Sequence, residues 1–235
     1  MISRADARQT SVLYLLMALP GVPALMYLPG NFIVRGDAAA TAQQIADGAF
    51  TYRLIVLGYL SSMIFFIVLA WKLYQLFERV DKRQAQLLVL FVLVSAAFAL
   101  VDVVLLLAPL TVQASAAPLA AFTKQQLDGL AFGALRLRNP LILVNQAFWG
   151  LWLLPFGILV IKSGYIPKFI GALLFLGFAA WVVLSASGIL FPSAPLVERI
   201  VFPLTAPGEL SILLWFIVKS LSRERVTARQ ALAAT

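Results

Sequence analysis

The chain has 235 residues, 62% of them hydrophobic and 12% charged, with a net charge of +8. Soluble domains carry about 25% charged residues; a soluble fold of this length has too little interior for so much apolar surface, whereas lipid can receive it. There is no cysteine and no histidine, so disulfides, thiol nucleophiles and imidazole bases are excluded, and zinc, haem and Ser-His-Asp sites lose their usual ligands or base.

No cofactor and no metal site are expected. The basic balance fits Lys- and Arg-rich loops at a membrane. No basic helix interleaved with aromatics occurs, so no nucleic-acid partner is expected.

A spanning helix needs about 20 mostly apolar residues, and the gaps between charges place six of them, at 10–32, 54–76, 86–111, 140–161, 167–190 and 199–220. The first follows Arg4 and Arg8. It outruns the 7–15 apolar residues typical of a signal peptide and no A-x-A site follows, so it reads as a retained helix. Pro20, Pro23 and Pro29 predict kinks in it. Next, Asp37 is a candidate N-cap and Gly48 a candidate stop for a short helix over 38–47. After the third span, Thr123-Lys124-Gln125-Gln126 has the form of a capping box. It opens a second short helix over 124–136, with Leu127, Leu130, Ala134 and Leu137 on one side. Both short helices are expected in the outer membrane interface.

Pro155 interrupts the fourth span and frees the carbonyl of Leu151; Pro203 and Pro207 interrupt the sixth. The expected fold is all-α: a polytopic transmembrane bundle of about six spans with short outer interfacial helices. Residues 1–222 form one domain and 223–235 a polar basic tail. Twelve of the 18 Lys and Arg residues fall on the side of the termini, which predicts that both ends are cytoplasmic. The remaining six are Arg35, Arg53, Lys124, Arg136, Arg138 and Arg199.

Three motifs carry a resemblance. Gly36-Asp37-Ala38-Ala39-Ala40-Thr41-Ala42 is followed by Ile45 and Arg53. Trp152-Leu153-Leu154-Pro155-Phe156-Gly157 runs on to Ser163-Gly164-Tyr165-Ile166-Pro167 and Gly171. Gly208-Glu209 is followed by Leu214-Trp215. Together, from about Arg8 to Lys219, the chain resembles the domain-of-unknown-function 4386 family of uncharacterised six-pass membrane proteins. The resemblance implies a six-helix membrane domain and supplies no mechanism.

Intramembrane polar residues are the candidates for function. Glu209 lies midway along the sixth span, where an ionised carboxylate costs roughly 3 kcal/mol. A broken helix beside such an acid is a common form of membrane binding site. Asp102 lies in the outer half of the third span, sharing a face with Ser95 and Ala99. Asn145, Trp149, Trp152 and Phe156 share a face of the fourth, and Gln146 reads as interhelical glue. Arg53 heads the second span. It either snorkels to headgroups or pairs with Asp37, Asp47 or Asp102; a pair with Asp102 is the expectation. Glu209, Asp102, Arg53, Asn145 and Trp149 are thus expected to line one outward-open polar pocket with Glu209 at its floor.

Three functions compete. The first is binding or transport of a small polar solute, ion or lipid headgroup, with Glu209 as the proton- or cation-responsive group, Pro203 and Pro207 as the hinge and no catalytic residue. The second is an intramembrane hydrolase or transferase acting on lipid through an Asp102/Glu209 acid–base pair. The third is an accessory or structural protein. The first is the expectation, in the plasma or bacterial inner membrane, with membrane lipids and a small polar ligand as partners and the oligomeric state left open.

Overall fold

Among the described residues, five helical stretches are long and apolar enough to cross a membrane, and the longest, over Ala49–Val112, is folded in two, giving six crossings. The computed structural model describes residues 2–114, 121–192 and 195–222. All regular structure among them is helical. The elements are α1 (Arg4–Val22), a π-helical turn (Pro23–Tyr27), α2 (Leu28–Phe32), α3 (Ala38–Asp47), α4 (Ala49–Ala114) and α5 (Lys124–Leu151). There follow α6 (Leu153–Ser163), α7 (Lys168–Leu190), α8 (Pro195–Val201), a 3₁₀ turn (Phe202–Leu204) and α9 (Ala206–Leu221). The tail expected over 223–235 lies outside the described residues.

Each span has a packed face and a greasy one. On α4, Tyr59, Leu73, Leu88 and Leu106 are buried, whereas Leu57 and Val104 are 57% and 66% exposed. Large apolar side chains at that exposure suit hydrocarbon and not water.

Polar contacts at one end fix the topology. Arg4 Nε donates to the carbonyl of Ser220 at 2.7 Å, so the start of α1 meets the end of α9. Lys72 pairs with Asp6 at 2.7 Å and Lys162 with Asp81 at 2.6 Å. The first described helix therefore begins, and the last one ends, at the same end of the bundle, as an even number of crossings demands. The opposite end carries α3.

The expected loop between the second and third spans is a sharper device. Helix runs through 49–80 and 82–114, broken only at Asp81, whose φ/ψ of −157°/99° is extended. Its carboxylate accepts from the N–H of Gln84 at 3.1 Å, as an N-cap does, and also takes Lys162. A single residue thus turns the chain and ties the turn to α6.

Prolines act where expected, with one difference. Pro23 opens the π-turn that joins α1 to α2, with Pro20 in the last turn of α1 and Pro29 in the first of α2; each lacks an N–H for the ladder. Pro203 sits in the 3₁₀ turn before α9. The fourth span breaks at Trp152, beside Pro155. Pro140, by contrast, is carried inside α5.

That last fact corrects one expectation. The capping box is present: Thr123 Oγ1 accepts from Gln126 N–H and the Gln126 side chain accepts from Thr123 N–H. The helix it opens does not stop near 136 as a separate interfacial piece; it runs on to Leu151 as the span itself. The helix over 38–47 forms as expected. Asp37 accepts from Ala40 N–H at 2.9 Å, and Thr41 Oγ1 accepts from Val34 N–H at 3.0 Å, folding the preceding loop onto α3. Gly36 makes that loop at φ +79°, where a Cβ would be strained.

The Trp152–Gly171 motif is largely a packing device. Phe66, Trp152, Phe156, Phe77 and Tyr165 form a column of ring contacts with centroids 5.2–6.3 Å apart. A Cβ on Gly157 would lie 3.0 Å from the Gly171 carbonyl, and one on Gly171 equally close to the Gly157 carbonyl. Small residues here let α6 and α7 touch backbone to backbone.

Candidate functional site

The strongest polar feature is a buried ion pair. Arg138 Nε donates to one Asp102 oxygen at 2.6 Å and Nη2 to the other at 3.0 Å. Their side chains are 3% and 1% exposed. This two-point grip on a carboxylate is what the rigid guanidinium fork favours. Two tyrosines of α4 close the surroundings. Tyr52 donates to the Leu106 carbonyl at 2.8 Å, and the hydroxyl of buried Tyr59 lies within reach of the Asp102 carboxylate.

The pairing corrects the expectation for Arg53. Arg53 is exposed and makes no ion pair among the described residues, so it is free to snorkel. Arg138 escapes notice as a charge that bounds a span, yet it stands seven residues before Asn145, two helical turns along the same face. That spacing is the sequence signal for its burial.

Asn145 and Ser95 are each seven residues from the ion pair, on neighbouring antiparallel helices, and so sit at one level nearer the termini end. Asn145 is 2% exposed and Ser95 fully buried. Asn145 Oδ1 and Ser95 Oγ have no hydrogen-bond partner.

Glu209 belongs to another interface. It stands in the first turn of α9 and is partly buried. It makes no ion pair among the described residues. Trp181 Nε1 of α7 and Tyr14 OH of α1 are buried without hydrogen-bond partners, and Glu209 is close enough to act electrostatically on both. Trp149 meets Trp181 edge-on with centroids 5.0 Å apart. The structure thus brings Trp149 toward Glu209 through Trp181, and Asp102 to Arg138.

A cavity opens elsewhere, at the α3 end. It has a volume of about 700 Å³ and lies between α2, the following loop and α5, with Arg35, Arg136 and Asn139 in its wall. A smaller cleft lies under α3, beside Pro109 and Asp128. Neither is lined by Glu209, Asp102, Arg53, Asn145 or Trp149. These two cavities therefore do not correspond to the expected pocket with Glu209 at its floor. Arg35 and Arg136 drew no attention in the sequence because each looked like a loop cation.

Compared with known proteins, the chain matches one family model, described as a domain of unknown function (DUF4386), over residues 10–220. No curated protein and no solved structure matches it.

Proposed function

The chain belongs to the domain-of-unknown-function 4386 family, and from that premise we propose that it is a multi-pass protein of the cell membrane that binds or transports a small polar solute, ion or lipid headgroup. The observation that carries this is the cavity of about 700 Å³ at the α3 end, which joins apolar walls to a few polar groups, the usual make-up of a ligand site. The ligand enters there, and Glu209, in the interface that holds Trp181 and Trp149, is the group that responds to protons or cations. The acid–base alternative has less support, because both oxygens of Asp102 are engaged by Arg138.

Gly30 lies at the cavity, and a Cβ there meets nothing within 4 Å. Gly30→Trp therefore places an indole at the cavity wall with no clash at its Cβ, obstructing part of the space. Native mass spectrometry of protein purified with native lipids should show a retained molecule on the wild type and its loss in Gly30→Trp. Persistence of the same adduct in that variant would defeat the proposal.

The orientation is part of the proposal: termini in the cytoplasm, cavity outside, in the plasma or bacterial inner membrane. The Lys and Arg bias supports it. The chain has no native thiol, so one cysteine at Ser222 reports cleanly. It should react with a membrane-impermeant maleimide only after the cells are opened; labelling of intact cells from outside reverses the orientation.

A further inference from the structure

The geometry points to a phosphate-bearing ligand in the cavity at the α3 end, held by Arg35 and Arg136. This assignment rests on the reading of that cavity as a ligand site, and it follows from an accounting of charge. The carboxylates of this end lie outside the cavity wall, Glu198 on α8 among them. Asp37 caps α3, Asp47 accepts from the Gln43 amide, Asp102 is gripped by Arg138 and Asp128 pairs with Lys124. Arg35 and Arg136 are left without an ion-pair partner among the described residues, and both line the same cavity. No Asp or Glu lines it.

Two exposed guanidinium groups with no acid beside them in the cavity wall give the recess a positive field that attracts an anion. Their planar forks match the oxygens of a phosphate. Asn139 adds an amide to the same wall, and Ile33, Phe132 and Leu135 supply the apolar part. Such a site accepts a phosphate with an attached apolar group, as in a phospholipid, and also the free phosphate ester. The chemistry they share is the phosphate.

The test is a binding titration on the full-length protein in neutral detergent with three probes. These are phosphatidylglycerol, a galactosyl diacylglycerol of the same acyl chains, and glycerol phosphate. Phosphatidylglycerol should bind at least tenfold tighter than the glycolipid. Arg35→Gln and Arg136→Gln should each weaken it about tenfold, the size of one charge-assisted contact, while Arg199→Gln, a surface cation of α8, should leave it unchanged. Glycerol phosphate binding with the same arginine dependence supports the assignment with a free ester as the source; its failure to bind, with phosphatidylglycerol retained, supports it with lipid as the source.

Equal affinity for the glycolipid, or an Arg35→Gln/Arg136→Gln double variant that binds phosphatidylglycerol like wild type, overturns the phosphate assignment. Gly30→Trp separates the two levels. If it abolishes lipid binding that the arginine variants leave intact, the site stands and the phosphate falls. If all three probes bind Gly30→Trp as they bind wild type, the site itself falls.

Discussion

Asp102→Asn or Arg138→Met alone should destabilise the bundle by about 3–5 kcal/mol, because each leaves a buried partner without its counter-charge. At about 2–4 °C per kcal/mol for a domain of this size, the melting temperature in detergent should fall by roughly 10 °C. The guanidinium and carboxylate are 3% and 1% exposed, so solvent cannot screen either orphan. The double change Asp102→Leu/Arg138→Met removes both charges and should recover most of the loss, since apolar replacement of a buried pair is often neutral or stabilising. Size-exclusion after stepwise heating reads all three variants. Single variants that melt with the wild type, or a double variant that loses the sum of both, would show that the pair is not coupled as its geometry requires.

The architecture was legible because its causes are local or compositional. Charge gaps of spanning length marked the crossings. Asp37, Thr123 and the prolines marked starts and breaks, since a cap or a missing N–H acts on residues three or four positions away. What escaped depends on distance in sequence. Asp102 and Arg138 are 36 residues apart, and no local rule chooses Arg138 over Arg53 as the partner. Asp81 was hidden because one extended residue between two strong helices leaves little compositional trace. The extent of α5 was hidden because Pro140 is a helix-breaking signal that tertiary packing overrides.

The candidate site divides along the same line. Glu209, Asp102 and Asn145 were legible as polar residues in an apolar run, and each turns inward to some degree. Which of them meet was not legible. Arg35 and Arg136 illustrate the converse. Each is ordinary in its loop or helix, and they become notable only when the fold places them in one recess without an acid.

Gly208→Ala should be the most damaging of the one-carbon additions in the chain. A Cβ there would stand 2.6 Å from the Leu173 carbonyl oxygen and 2.8 Å from both Leu173 C and Leu174 N. All three are backbone atoms of α7, which cannot step aside as a side-chain tip can. At Gly188 the nearest clash is with the movable end of Leu143, and at Gly177 the Thr205 carbonyl is 3.1 Å away. Helix α9 must therefore retreat along its contact with α7, at the upper end of the 1–3 kcal/mol usual for overpacking, about 3 kcal/mol. Gly208→Val adds two further carbons and should leave little folded protein in the membrane. Gly129 and Gly133 are the controls: a Cβ meets nothing within 4 Å at either. Alanine at those helical positions should be neutral or stabilise by about 0.5–1 kcal/mol. Melting of the four variants in one detergent decides the matter, and a Gly208→Ala protein as stable as Gly133→Ala would refute the close α7–α9 approach. Because α9 contributes no residue to the cavity at the α3 end, the Gly208→Ala protein that does fold should bind ligand there as wild type does. Loss of binding per folded molecule would instead tie the Glu209 helix to the cavity.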